Sequence, residues 1–126
     1  MKFRFLLWLL GRLLAGASRS NAEVREQLVD RDLVFQLQTR DGRVARHFIV
    51  QNLRIRSAAG CVAHPDFSIA FRDAAYGFGI LTATNKQLAF MQGIQNKDIQ
   101  ILGNPALVLW FQGLVSQLDP RQKQPA

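Results

Sequence analysis

The chain has few of the residues on which metal binding and redox chemistry depend. Among its 126 residues are one cysteine and two histidines. The single Cys61 excludes an internal disulfide, which is compatible with a reducing compartment. Zinc sites use several His, Cys or carboxylate ligands, and we identify no third ligand that would complete a site with Cys61 and His64. We therefore expect neither a metal site nor a cofactor.

Motifs that carry catalysis are also missing from the sequence. It contains no Gly-x-Ser-x-Gly element to display a nucleophilic serine, and no glycine-rich loop followed by lysine to hold phosphates. The pairs Asp30/Asp32 and Asp66/Asp73 fall at the ends of predicted elements, where capping and solvation explain them better than acid–base catalysis. The sequence therefore predicts a protein that is not an enzyme.

Acidic residues are scarce, and the resulting positive charge is concentrated in one half of the chain. Lysine and arginine number 16 against 9 acidic residues, a net charge of +7, and the part up to Arg56 carries 11 − 5 = +6 of it. Arg54 and Arg56 share one face of a predicted strand, and Arg40, Arg43 and Arg46 surround a predicted turn. A solvated outer face, an anionic membrane or a protein partner would each suit this charge. Nucleic acid is disfavoured, because the phenylalanines of these strands occupy the opposite, core-directed phase and offer no platform for bases.

The hydrophobic run near the N terminus is too short to span a bilayer. Its apolar residues are continuous only over Phe5–Leu10, before Gly11 and Arg12. As a helix it is amphipathic, with Arg4, Trp8, Arg12 and Arg19 opposite an apolar side made of Phe3, Leu6, Leu7, Leu10, Leu13, Leu14 and Ala17. Three interpretations are compatible with this pattern: a helix packed on the domain, an interfacial helix that contacts the membrane through Arg4, Trp8 and Arg12, and a cleaved signal peptide.

Alternating apolar residues predict four strands in the middle of the chain, at 33–37, 44–50, 53–55 and 67–71. The segment Arg40–Arg43, which contains Asp-Gly, is typical of a hairpin turn. The second and third alternations are in opposite phases, so a bulge or a turn must intervene near Gln51 and Asn52. After the fourth strand, Asp73 is placed to cap a helix that runs through Leu81.

The next segment predicts a short helix and a fifth strand. Thr84 and Gln87 have the spacing of a capping box, so we expect a helix to begin there. Gly93 stands where a left-handed residue would end that helix. Ile99 and Ile101 then alternate with a polar residue, as in a half-buried strand.

A long apolar helix is predicted at the end of the chain. Gly103 permits a sharp turn, Asn104 is a favourable N-cap, and Pro105 suits the first helical position. Apolar residues recur there at spacings of three and four and form one broad face, made of Leu107, Trp110, Phe111, Leu114 and Leu118.

Three of these motifs together resemble the sterol carrier protein type 2 family. They are the strand and acidic cap of Phe67–Asp73, the Ala-Phe-Met-Gln-Gly segment that ends at Gly93, and the Ile-Gln-Ile-Leu-Gly-Asn segment that ends at Asn104. The family usually has an acidic residue where this chain has Asn104, and asparagine also caps a helix. The resemblance covers roughly residues 33 to 118 and is best from 66 to 118.

The resemblance implies an α+β fold with a binding cavity. A five-stranded, mainly antiparallel sheet would carry helices on one face, with a lipid-sized apolar cavity between the two layers. The candidate cavity residues are Phe48, Phe67, Ile69, Phe71, Phe78, Leu81, Phe90, Met91, Leu107, Trp110, Phe111 and Leu114.

The implied function is lipid binding or lipid transport without catalysis, as in bacterial single-domain members. The ligand would be a fatty acyl chain, a sterol-like molecule or a polyprenyl quinone intermediate. We expect a basic amphipathic helix at 1–20, a lipid-binding domain at 21–118 and a flexible tail at 119–126. The expected location is cytoplasmic and peripheral on the inner membrane. The alternative is a structural or adaptor protein with a filled core, whose basic half binds a protein or nucleic-acid partner.

Overall fold

Residues 2–116 are described by a computed structural model, and they form five helices and five strands. In chain order these are α1 (Lys2–Ser20), α2 (Ala22–Gln27), β1 (Leu33–Thr39), β2 (Ala45–Gln51), β3 (Arg54–Ala59), β4 (Phe67–Phe71), α3 (Ala74–Leu81), α4 (Lys86–Gln95), β5 (Ile99–Gly103) and α5 (Pro105–Ser116). The expected flexible tail at 119–126, and Leu118 of the predicted last helix, lie outside the described residues.

The five strands form one sheet in the order β3-β2-β1-β4-β5. β1 is antiparallel to β2 and parallel to β4, and the outer pairs β2/β3 and β4/β5 are antiparallel. The predicted mainly antiparallel sheet is therefore confirmed, with one parallel pair in its interior. Phe35 of β1 is level with Phe48 of β2 and with Phe67 of β4, so three phenyl rings lie side by side on one face of the sheet.

The helices pack on this same face, which we call the inner face. α1 lies along β3 and contacts α2 and α3, whereas α5 contacts β4, α2 and α4. The period-two alternation of the strands explains this layering, because every second side chain of a strand points to the same face. The buried apolar residues of the inner face are Leu33, Phe35, Leu37, Phe48, Val50, Ile55, Phe67, Ile69, Phe71 and Ile99. The α+β fold with helices on one face is confirmed.

Two hairpin turns connect β1, β2 and β3. In the first, Gly42 has a φ of 73°, and the Asp41 carboxylate accepts hydrogen bonds from the Thr39 hydroxyl at 2.6 Å and the Arg43 N–H at 3.0 Å. These bonds hold the pKa of Asp41 below its usual value, with the Thr39 hydroxyl making the largest contribution. The second turn consists of Asn52 and Leu53, both at positive φ, as a two-residue hairpin turn of type I′ requires. This turn accounts for the predicted change of phase.

The predicted ends of α4 are wrong. Its N-cap is Asn85, whose side chain accepts a hydrogen bond from the Leu88 N–H at 3.1 Å, one residue after the predicted Thr84. The helix also continues beyond Gly93, and the left-handed residue after it is Lys97, with a φ of 63°. Gly93 instead permits close packing, because a Cβ there would collide with the side chain of Ile99.

The predicted caps of α3 and α5 are confirmed. The Asp73 carboxylate accepts a hydrogen bond from the Tyr76 N–H at 2.8 Å, and the Asn104 side chain accepts one from the Ala106 N–H at 2.9 Å. Gly103 has a φ of 100° at the end of β5, directly against the backbone of β4. Both caps thus fix where the helices start relative to the sheet.

Candidate functional site

Helix α1 packs on the domain through one side and exposes the other. Phe3, Leu7, Leu10 and Leu14 are buried on the packed side. Gly11 lies between them against β3, where a Cβ would collide with the side chain of Ser57. The buried side of the helix is therefore rotated toward Gly11 relative to the predicted apolar side. The prediction was wrong to include Leu13, which is 49% exposed.

The exposed side of α1 combines apolar and basic residues. Phe5 is 60% exposed and Trp8 is 44% exposed, with their ring centroids 5.8 Å apart. The Arg12 guanidinium lies 5.5 Å from the Trp8 ring centroid, in a cation–π arrangement. With Leu13 these residues form what we call the outer strip of α1. The helix has no acidic residue, so the outer strip has the composition of a membrane-interface helix.

Below the helices lies a continuous aromatic layer, which consists of Phe35, Phe48, Phe67, Trp110 and Phe111. The Phe35 ring stacks on Phe48 and on Phe67, with centroid distances of 4.8 and 5.0 Å. The ring of Phe111 from α5 lies 5.1 Å from Phe35. Trp110 contributes the only polar side-chain group of this layer, and its Nε1–H donates to the Gln27 carbonyl at 2.7 Å. The aromatic layer is therefore apolar except for the Trp110 Nε1–H, which is hydrogen-bonded.

The structure brings most of the predicted cavity residues together. Nine of the twelve are buried between the layers, namely Phe48, Phe67, Ile69, Phe71, Leu81, Phe90, Trp110, Phe111 and Leu114. Phe78 and Leu107 are half-buried at the edge of this core. Met91 is different, because it is 51% exposed on the outside of α4 and lies away from the others.

A pocket of about 340 Å³ opens where α1 meets α3, and we call it the α1–α3 pocket. It is lined by Lys2, Phe3, Ala74, Ala75 and Phe78. Of these, the sequence reasoning named only Phe78 as a site residue. The sequence does contain a signal for this pocket, since Ala74 and Ala75 precede Phe78 by one helical turn. Small residues on a helix leave room beside a large one.

The floor of the α1–α3 pocket belongs to the core. Phe3 is buried, and its ring meets Phe71 edge-on, with centroids 5.7 Å apart. Phe71 in turn lies 6.1 Å from Phe90. On the other side, α3 approaches Phe3 at Gly77, where a Cβ would come within 2.7 Å of the Phe3 ring. Phe3 therefore separates the pocket from the interior of the layered core.

A second pocket, of about 280 Å³, lies between α1, the β1–β2 turn and the ends of β2 and β3. Its charged lining residues are Arg4, Arg43 and Arg46, and we call it the arginine pocket. The Arg4 Nη2 donates to the Arg43 carbonyl at 2.8 Å, which ties α1 to the turn. Arg4 thus points along the domain, while the other predicted membrane contacts, Trp8 and Arg12, face outward.

Among residues 2–116 no cluster of three or more His, Cys, Asp or Glu side chains is arranged to hold a metal ion. Within the same part of the chain, no helix combines the length and the apolar character needed to cross a bilayer. Cys61 is exposed, and its thiol lies 3.8 Å from the Gln38 side-chain oxygen.

No protein-family model matches the chain, and no curated protein matches its sequence. Solved structures do resemble it. A UbiJ-SCP2 ubiquinone synthesis protein is 16% identical with a TM-score of 0.64, and the match covers 89% of this chain and 88% of that one. The sterol carrier protein domain 2 of Helicoverpa armigera is 15% identical with a TM-score of 0.60, over 95% of this chain and 91% of that one.

A third similar structure is a conserved hypothetical protein of Thermus thermophilus, described as a candidate sterol carrier protein. It is 17% identical with a TM-score of 0.57, and the match covers 92% of this chain and 87% of that one. At such identities the likeness shows the fold alone. The chain has the fold of a sterol carrier protein domain, so the resemblance inferred from its sequence motifs is confirmed at that level.

Proposed function

We propose that the chain is a non-catalytic lipid-binding or carrier module, which holds an apolar ligand between its sheet and helices near a membrane. The observation that carries this proposal is the apolar layer enclosed in a fold shared with sterol carrier domains. A fatty acyl chain, a sterol-like molecule or a polyprenyl quinone intermediate would suit such a layer. The ubiquinone synthesis protein among the similar structures supports the last of these. The protein would be cytoplasmic and peripheral on the inner membrane.

The α1–α3 pocket is the proposed entrance for the ligand. Its walls are apolar apart from Lys2, and Phe3 lies between the pocket and Phe71 of the core. Movement of the Phe3 ring would open the pocket toward Phe71 and Phe90 of the core. At roughly 0.8 kcal/mol for each buried methylene, about eight methylenes of an acyl chain would contribute about 6 kcal/mol. Because few polar groups line this path, the protein would select weakly among apolar ligands.

Native mass spectrometry after gentle purification tests ligand binding. We expect the wild-type protein to retain an endogenous lipid or to take up added palmitate or ubiquinone. Ala75→Trp should block uptake, because Ala75 lines the entrance. Ala106→Trp makes the same change at an exposed position on α5 and should leave uptake unaltered. An empty wild-type protein that ignores added palmitate and ubiquinone would contradict the proposal.

The outer strip of α1 is the proposed membrane contact, with Arg4 beside it. Trp8 and Phe5 would enter the interface, and each basic residue near an anionic surface contributes about 1 kcal/mol. We expect Trp8→Ala combined with Arg12→Glu to abolish cosedimentation with phosphatidylglycerol-containing vesicles. The matched control is Leu109→Ala with Arg56→Glu, which makes similar changes at exposed positions elsewhere. Equal binding of the two double variants would contradict docking through the outer strip.

One observation favours the alternative of an adaptor protein with a filled core. The rings of the aromatic layer already contact each other closely, as in a core without a ligand. In that case a pull-down would recover a stoichiometric protein partner that added lipid does not displace, and the protein itself would bind no apolar ligand. Nucleic acid is not favoured as a partner, because no Phe, Tyr or Trp lies on the outer face of the described strands beside Arg54 and Arg56.

A further inference from the structure

The arginine pocket brings together three segments that are far apart in the sequence. α1 contributes Arg4, the β1–β2 turn and the start of β2 contribute Gly42, Arg43 and Arg46, and the residue after β3 contributes Gly60. Both glycines have positive φ, at 73° and 98°, so the chain turns sharply there without side chains that would fill the space. The remaining lining residues are Leu7, Val44, Ala45, Ala59 and Cys61.

All the charged residues that line this pocket are basic. None of its lining residues is acidic, and within residues 2–116 no carboxylate lies within ion-pair distance of Arg4 or Arg46. Arg43 does have a carboxylate partner, Asp41, but the Nε–Oδ2 distance is 3.8 Å and both side chains are largely exposed. Exposed pairs of this kind are weak, so Arg43 can exchange Asp41 for a better placed anion.

Two of the three arginines are held in place by the protein. Arg46 donates from Nε to the Ser57 hydroxyl at 3.0 Å, and Arg4 donates from Nη2 to the Arg43 carbonyl at 2.8 Å. A guanidinium has five N–H donors, so each keeps several for a ligand. Because these hydrogen-bond donors are already fixed in the free protein, less conformational entropy is lost when a ligand binds.

We propose that the arginine pocket binds a phosphate group. Guanidinium groups match phosphate oxygens in pairs, and three of them around a space of 280 Å³ would compensate its charge. The phosphate would be carried by a lipid headgroup or by a soluble phosphorylated molecule. The lipid source fits the geometry because Arg4 lies one helical turn from Trp8 of the outer strip, which would bring the pocket to headgroup depth. The proposal concerns a site separate from the apolar layer, and a soluble probe tests it without membrane or lipid.

Titration of the full-length ¹⁵N-labelled protein with inorganic phosphate at constant ionic strength tests the site. We expect saturable shifts of the Gly42, Ala45 and Gly60 amide signals. Ala59→Glu should weaken this binding at least tenfold, because residue 59 pairs with Arg46 across the strands and a carboxylate there would occupy its guanidinium. Ala58→Glu is the matched control, since it makes the same substitution on the opposite face of β3 and should change the dissociation constant less than twofold.

Arg43→Gln provides a second variant that preserves folding, because its side chain is 86% exposed, and it should weaken binding at least threefold. Shifts that do not saturate, or equal dissociation constants for Ala58→Glu and Ala59→Glu, would overturn the proposal. If phosphate binds at this site, cosedimentation with vesicles that contain phosphatidylglycerol distinguishes a lipid headgroup from a soluble phosphorylated molecule as the source of the phosphate. Weaker vesicle binding by Ala59→Glu than by Ala58→Glu assigns the pocket to a lipid headgroup, and equal vesicle binding assigns it to a soluble phosphorylated molecule.

Discussion

Helix α3 contains two glycines at which the same substitution, glycine to alanine, should change the stability in opposite directions. A Cβ at Gly77 would lie 2.7 Å from Cε1 and Cζ of Phe3, which is closer than side chains pack. A Cβ at Gly79 would have no neighbour within 4 Å. Because Phe3 is buried against Phe71, moving its ring away from a methyl group at residue 77 would break these contacts at a cost in free energy. Gly77→Ala should therefore push α1 and α3 apart, while Gly79→Ala should be accepted.

The magnitudes follow from two opposing contributions to the free energy of unfolding. Alanine in place of glycine stabilises a helix by up to about 1 kcal/mol, and this gain applies to both positions. Overpacking by one methyl group costs about 1–3 kcal/mol, and this cost applies only at Gly77. Gly79→Ala should thus be stabilising by up to about 1 kcal/mol. Gly77→Ala should be less stable than Gly79→Ala by about 1–3 kcal/mol, since the helix contribution cancels in the comparison.

Urea unfolding of both variants, followed by circular dichroism, measures this difference. A double-mutant cycle with Phe3→Leu locates its cause, because leucine lacks the ring atoms that Gly77→Ala would meet. We expect Gly77→Ala to cost at least about 0.5 kcal/mol less in the Phe3→Leu background than in the wild type. Equal stability of Gly77→Ala and Gly79→Ala would refute the packing of α1 against α3 described above.

Substitutions at Asn104, Ser18 and Thr39 test other parts of the structure. Asn104→Ala removes the N-cap of α5 and should lower the free energy of unfolding in urea by about 0.5–2 kcal/mol. Asn104→Asp keeps a capping oxygen and should retain most of the wild-type stability. Ser18→Ala leaves the buried Ile55 N–H without its hydroxyl partner and should cost about 1–3 kcal/mol in the same assay. Folding lowers the pKa of Asp41, so its stabilising contribution is present above the usual pKa of 3.8 and is lost as the pH falls through the folded-state pKa. Thr39→Val should raise that pKa, as measured by a carboxyl-carbon NMR titration.

Elements with complete local signals could be predicted from the sequence. The Asn-Pro start of α5, the Asp73 cap of α3 and the Asp-Gly turn between β1 and β2 each depend on a few adjacent residues. Alternation in the strands also placed the phenylalanines of the inner face correctly, because a period of two fixes the face once the strand is known. The fold followed from these elements and from the motifs shared with sterol carrier proteins.

Features that depend on tertiary contacts could not be predicted in this way. Gly93 has the local signature of a helix end, but its role is to let α4 approach Ile99. Gly11 allows α1 to pack closely on Ser57, which places Gly11 at the packed side of the helix. Leu13 consequently faces solvent, although the periodicity assigned it to the apolar side. The arginine pocket joins segments about 40 residues apart, and only the folded chain shows that Arg4 meets Arg43.

Whether an apolar ligand lies between the sheet and the helices is tested most directly by intermolecular nuclear Overhauser effects from ¹³C-labelled palmitate to the protein. We expect contacts with Phe3 and Phe78 at the α1–α3 pocket and with Phe71 and Phe90 beneath it. Contacts confined to exposed side chains such as Met91, or no contacts at saturating palmitate, would contradict a binding site between the two layers.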